Sequence, residues 1–77
     1  MMHFPDTEIC KRTVEEFDKI MQKNGTNITQ QCQRLGLERK AYNNYKNHVF
    51  APSAFVLQGL ALEGADVHYI LTGRRGH

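Results

Sequence analysis

Six side chains between positions 39 and 47 carry the most distinctive chemistry in the chain: Arg39, Lys40, Asn43, Asn44, Lys46 and Asn47. Arginine and lysine donate to guanine O6 and N7, and asparagine can both donate to and accept from the N7/N6 edge of adenine. Base edges in a DNA major groove are read by side chains of this kind. On a helix lying in that groove, the N-terminal residues meet the bases. Arg39 and Lys40 hold that position here. Asn43 and Asn44 follow one turn later, suited to adenine or to phosphate. Lys46, Asn47 and His48 come at the end, where phosphate contact is the better match. Upstream, Thr29 and Gln30, with Asn27, open another helical stretch. They can donate to a phosphate at a helix N-terminus. The bland alternative for all of these residues is a solvated helix face.

No other set of residues in the chain has the spacing of a reactive site. Cys10 and Cys32 lack metal-ligand or redox-motif spacing and read as reduced, structural thiols. His3, His48, His68 and His77 do not form a metal set. There is no nucleophile–base pair, carboxylate pair or phosphate loop, so an enzyme is not expected, nor a cofactor or small-molecule substrate. Tyr42 and Tyr45 are read as core rather than as base-stacking platforms, because they face inward at helical spacing.

Charge supports the same stretch. Lys11, Arg12 and Lys19 are outweighed by Asp6, Glu8, Glu15, Glu16 and Asp18 in residues 1–20, a net of −2. Residues 34–48 set Arg34, Arg39, Lys40 and Lys46 against Glu38, a net of +3. The overall +2 is too small to argue for nucleic acid; its distribution says more, though on charge alone a solvated helix face is the better reading. With 77 residues, 40% hydrophobic and 23% charged, the chain has the make-up of one folded domain, residues 1–77. No apolar run approaches the ~20 residues of a membrane span. The start has neither the basic nor the apolar region of a secretory signal. A cytosolic protein is therefore expected, and the Asn-x-Thr triplets at Asn24 and Asn27 are not read as glycosylation sites.

Helix punctuation recurs at short intervals. Thr13-Val14-Glu15-Glu16 has the form of a capping box and predicts a first helix from about Thr13, with Val14, Phe17, Ile20 and Met21 inward, Ile9 and Cys10 able to extend that face backwards, and Asn24-Gly25 closing it. Thr26 or Asn27 caps a second helix whose Ile28, Cys32 and Leu35 form a stripe, and Gly36 ends it. A third helix is predicted from about Glu38 to His48, with Ala41, Tyr42 and Tyr45 on its inner face. Ser53 caps a fourth, Ala54 to Glu63, apolar nearly all round as a central or interface helix would be. Asp66 caps a fifth, Val67 to Thr72, closed by Gly73. Residues 74–77 read as a flexible tail, and no segment reads as a strand. Val56, Leu60, Val67, Tyr69 and Ile70 are candidates for a dimer surface.

The stretch RLGLERKAYNNYKN, from Arg34 to Asn47, resembles the motif of lambda-repressor-like helix-turn-helix domains, within a unit spanning about residues 27–47. Leu35-Gly36-Leu37, Tyr42 and Asn44-Tyr45 fall at that family's turn and inward positions. GADVHYILTG, from Gly64 to Gly73, resembles the fifth helix of phage repressor N-terminal domains. Two departures stand out. Gln31 occupies a place usually aliphatic, which leaves the register of the second helix open by one residue, and Glu38 replaces a small capping residue. The resemblance implies an all-α, compact five-helix DNA-binding domain of the phage repressor or Cro-like family. It implies a homodimer on double-stranded DNA, regulating transcription, most simply as a repressor at a pseudo-palindromic operator. The rival expectation is a protein-interaction module, an antitoxin or anti-regulator, on the same fold.

Overall fold

The computed structural model describes residues 7–75, which form five α-helices and no strand. They are α1 (Thr7–Asn24), α2 (Ile28–Leu35), α3 (Arg39–Lys46), α4 (Ala54–Leu62) and α5 (Val67–Thr72). Helices α2, α4 and α5 start where their caps require. Asn27 Oδ1 accepts from the Gln30 amide while Gln30 Oε1 accepts from the Asn27 amide, a reciprocal capping box. Ser53 Oγ accepts from Val56, and Asp66 Oδ1 from Tyr69. Gly36, at φ 73°, closes α2 in the left-handed conformation.

The first helix departs from the sequence expectation. It begins at Thr7 rather than near Thr13, and Thr13 is fully buried in its middle. The Thr13 hydroxyl donates back to the Ile9 carbonyl at 2.7 Å, the alternative open to a mid-helix threonine. Glu16 does not reach back either: its Oε1 accepts from the Asp66 amide at 3.0 Å. The helix extends backwards because Ile9 and Cys10 continue its apolar face, and Cys10 is fully buried. The third helix is shorter than expected, ending at Lys46. His48 turns into the left-handed region at φ 59°, and Val49 donates to the Asn44 carbonyl across the turn.

The core gathers Phe17, Ile20, Cys32, Leu35, Tyr42, Tyr45, Val56, Leu60 and Ile70. Helix α1 packs on α3 and α5, α2 on α3, and α4 joins α2 to α5. Val56, Leu60 and Ile70 are thus taken up by the core and are not available to the dimer surface expected of them. Val67 packs against that core at its edge, and Tyr69 is half-buried. The large exposed apolar residues on α4 are instead Phe55 and Leu62.

Gln31 is fully buried, so α2 keeps its register despite a polar residue at an inward position. Its carbonyl accepts from the Thr26 hydroxyl at 2.8 Å and from Asn24, and its amide donates to Glu63. Glu63 in turn accepts from Asn24 and from two nitrogens of Arg34. A buried amide with all these partners replaces the aliphatic side chain without leaving an unpaired group. Arg75, placed by the sequence in a tail, has its guanidinium 2.7 Å from Glu16 Oε2 and 3.7 Å from the Tyr69 ring centroid. Of the other tail positions, Arg74 is exposed with its amide donating to the Thr72 hydroxyl, and 76 and 77 lie outside the described residues.

Candidate nucleic-acid interface

Helices α2 and α3 are joined by Gly36, Leu37 and Glu38. The Leu37 amide donates to the Cys32 carbonyl at 2.8 Å, and Leu37 packs against the core, so the turn is tied down on both sides. Tyr42 and Tyr45 fix the roll of α3. Tyr42 stacks at a tilt on Phe17, ring centroids 5.1 Å apart, and its hydroxyl donates to Asp18 at 2.8 Å. Tyr45 is buried and meets the edge of Phe50 at 5.9 Å. Burial, followed by the hydrogen bond and charge of Asp18, pushes the Tyr42 hydroxyl up to about 12. Both tyrosines serve as anchors of α3.

With those residues inward, Arg39, Lys40, Asn43, Lys46 and Asn47 are exposed and Asn44 is half-buried. Arg39, Asn43 and Lys46 follow one another at i, i+4 and i+7, and Lys40, Asn44 and Asn47 at the same spacing beside them. Lys40 pairs with Glu38 at 3.4 Å, both well exposed, which in water is a weak and exchangeable contact. Among the described residues, Arg39 and Lys46 have no ion-pair partner. Glu38 stands at the N-cap of α3 without a side-chain cap bond. Its charge there is favourable to the helix dipole.

Each edge of α3 opens onto a shallow recess. Arg39 shares one of about 460 Å³ with Thr26, Asn27 and Thr29 at the N-terminus of α2. Lys40 and Asn44 line a more apolar one of about 350 Å³, with Phe50 and Ser53 at the start of α4. Lys46 and His48 line a third with Lys11 and Asp18 of α1. Thr29 is thereby brought next to Arg39, whereas Gln30, though exposed, has its carbonyl engaged in the capping box. Ser53 and Lys11 are additions that the sequence alone did not single out. Ser53 was legible only as a helix cap, and Lys11 lies on a separate, acidic segment that the fold carries to the end of α3.

Arg34, counted in the basic stretch, is turned away from this use. It donates from Nε and Nη2 to Glu63, holding α2 to the end of α4. Burial pushes the Glu63 carboxyl up, but the Arg34, Gln31 and Asn24 hydrogen bonds and the Arg34 charge outweigh it, leaving Glu63 below its usual range. Cys10 and Cys32 are both buried and not joined in a disulfide; the Cys10 thiol donates to the Phe50 carbonyl at 3.5 Å, and burial raises the Cys32 thiol. Among the described residues no cluster could hold a metal ion, and no helix is long and apolar enough to cross a membrane. Comparison with protein-family models, with curated proteins and with solved structures gives no match.

Proposed function

We propose that this chain is a lambda-repressor-like helix-turn-helix protein that binds double-stranded DNA sequence-specifically, as a phage- or prophage-type repressor acting as a dimer. The observation that carries the reading is the outward face of α3: Arg39, Lys40, Asn43, Lys46 and Asn47 exposed together, on a helix whose roll is set by Tyr42 and Tyr45. Helix α3 is the recognition helix. Arg39 and Lys40 at its N-terminus address base edges, with Asn43 and Asn44 a turn deeper, while Lys46 and Asn47 meet phosphate. Thr29 and Gln30 at the start of α2 contact a phosphate beside Arg39. A bacterial cytoplasm is where such a regulator acts.

Selection from a random duplex library tests the proposal as a whole. The expected product is a pseudo-palindrome whose half-sites lie about one DNA turn, roughly 34–36 Å, apart. A single asymmetric half-site would remove the dimer from the proposal, and no enrichment by folded protein would remove the DNA. The second reading, a protein-interaction module on this fold, is favoured by one observation: Phe55 and Leu62, a two-turn spacing apart on α4, are 68% and 82% exposed.

A further inference from the structure

Away from α3, the seam between α1 and α5 holds a group of side chains that the DNA-binding reading does not use. Glu15 and Glu16 come from α1, Asp66 from the cap of α5, and Tyr69 from its first turn. Each carboxylate is oriented by a hydrogen bond to one oxygen. Glu16 Oε1 accepts from the Asp66 amide at 3.0 Å, Glu15 Oε1 from the Tyr69 hydroxyl at 2.7 Å, and Asp66 Oδ1 from the Tyr69 amide at 2.9 Å. The other oxygen of each turns to a common point. The guanidinium of Arg75 sits there, 2.7 Å from Glu16 Oε2, 3.5 Å from Glu15 Oε2 and 3.8 Å from Asp66 Oδ2, with its central carbon 3.7 Å from the centroid of the Tyr69 ring.

We infer that Glu15, Glu16, Asp66 and Tyr69 form a guanidinium-binding site, and that its resident ligand is the chain's own Arg75. Three features make it a receptor rather than a chance surface pairing. The carboxylates are held by bonds independent of Arg75. Glu16 is almost wholly buried, its side chain 4% exposed, and keeps its charge. An aromatic ring 3.7 Å from the guanidinium carbon, one hydrogen bond to Glu16 and two further carboxylate oxygens within 4 Å suit a broad, weakly hydrated guanidinium better than a compact ammonium. Lys19 also reaches Glu16 Oε2, at 3.5 Å, so the three carboxylates are not neutralised by Arg75 alone. Only Gly73 and Arg74 separate α5 from Arg75, so the tether presents the ligand at millimolar or higher effective concentration and fills even a weak site. The site clamps the C-terminal segment back across the seam, and it would accept an arginine side chain from another molecule once Arg75 is withdrawn. The inference does not depend on DNA binding.

The test is chemical rescue, followed by NMR at the Asp66 amide and the Tyr69 ring. In Arg75→Ala, added ethylguanidinium should restore the wild-type shifts saturably, and ethylammonium should not. Wild type should need several-fold more ethylguanidinium for any response, because Arg75 competes. An unsaturable response in the variant, or equal responses in variant and wild type, overturns the inference. The wild-type protein gives a check that needs no variant: the Arg75 side-chain protons should be shifted upfield by the Tyr69 ring, and random-coil values would overturn the clamp.

Discussion

Tyr42 shows how one core residue also decides which side chains a helix presents to solvent. Its ring fills the space beside Phe17, its hydroxyl is held by Asp18, and together these decide which face of α3 is left to solvent. Its hydroxyl titrates at about 12, above the ordinary tyrosine value of about 10. The unfolded chain therefore loses this proton first as pH rises. The contribution to stability is complete below about pH 10 and is lost as pH climbs towards 12. An absorbance titration should show a tyrosine ionising near 12 that is missing in Tyr42→Phe, a variant less stable by about 1 kcal/mol in denaturant unfolding. On the outer face the predicted effects follow from the proposed DNA binding. Arg39→Ala should cost about 1–3 kcal/mol of specific affinity, measured against an operator and its variants, with selectivity relaxed at one base pair. Lys46→Ala should weaken binding to all sequences alike and lower the salt slope by about 1. Unchanged affinity in both would leave α3 without a role.

The helices differ in how much of them the sequence made legible. Asn27, Ser53 and Asp66 announced α2, α4 and α5, because a cap is a local interaction written into neighbouring residues. The same logic misplaced the start of α1. Thr13 and Glu16 have capping-box spacing, but the fold takes Thr13 into the core and gives Glu16 to Asp66 and Arg75, partners fifty or more residues away. The clamp at Arg75 was illegible for that reason, as was the use of Arg34 against Glu63 rather than on the basic face. The outward set on α3 was legible because its spacing lies within one helix, whereas its neighbours Lys11 and Ser53 depend on how other helices arrive. Two predictions belong at this scale. At Gly36 a Cβ would meet nothing within 4 Å, so Gly36→Ala is penalised only by its left-handed backbone, by about 1 kcal/mol. Thermal unfolding should register this as a loss of about 4–8 °C. Glu63 and Glu16 both lie below their ordinary range in the folded state. As pH falls past about 4.3 the unfolded chain takes up their protons first, so stability should be full above that value and decline as pH drops through the folded values. Glu63→Gln should shrink that decline in pH-dependent urea unfolding.

Taken whole, the molecule separates its surfaces. The exposed cations and amides of α3 lie on one element, and the acids of α1 are partly consumed by Arg75, Lys19 and Tyr69 on another. The stretch from Val49 to Leu62 carries no charge, and its exposed Phe55 and Leu62 give α4 an apolar outer face. The proposed dimer would use such a face for its second copy, and the rival interaction module for another protein: sedimentation of Leu62→Glu against wild type, with and without operator, should show a lost dimer in the first case and an unchanged mass in the second. The central claim is DNA recognition by α3, and fluorescence anisotropy tests it most directly. Mixed-sequence duplex would be titrated across a salt series with wild type and with Arg39→Ala/Lys40→Ala. The account predicts binding that weakens steeply with salt and weakens further, with a shallower slope, in the double variant. Folded wild-type protein that fails to bind at low salt, or a double variant that binds equally well, would contradict it.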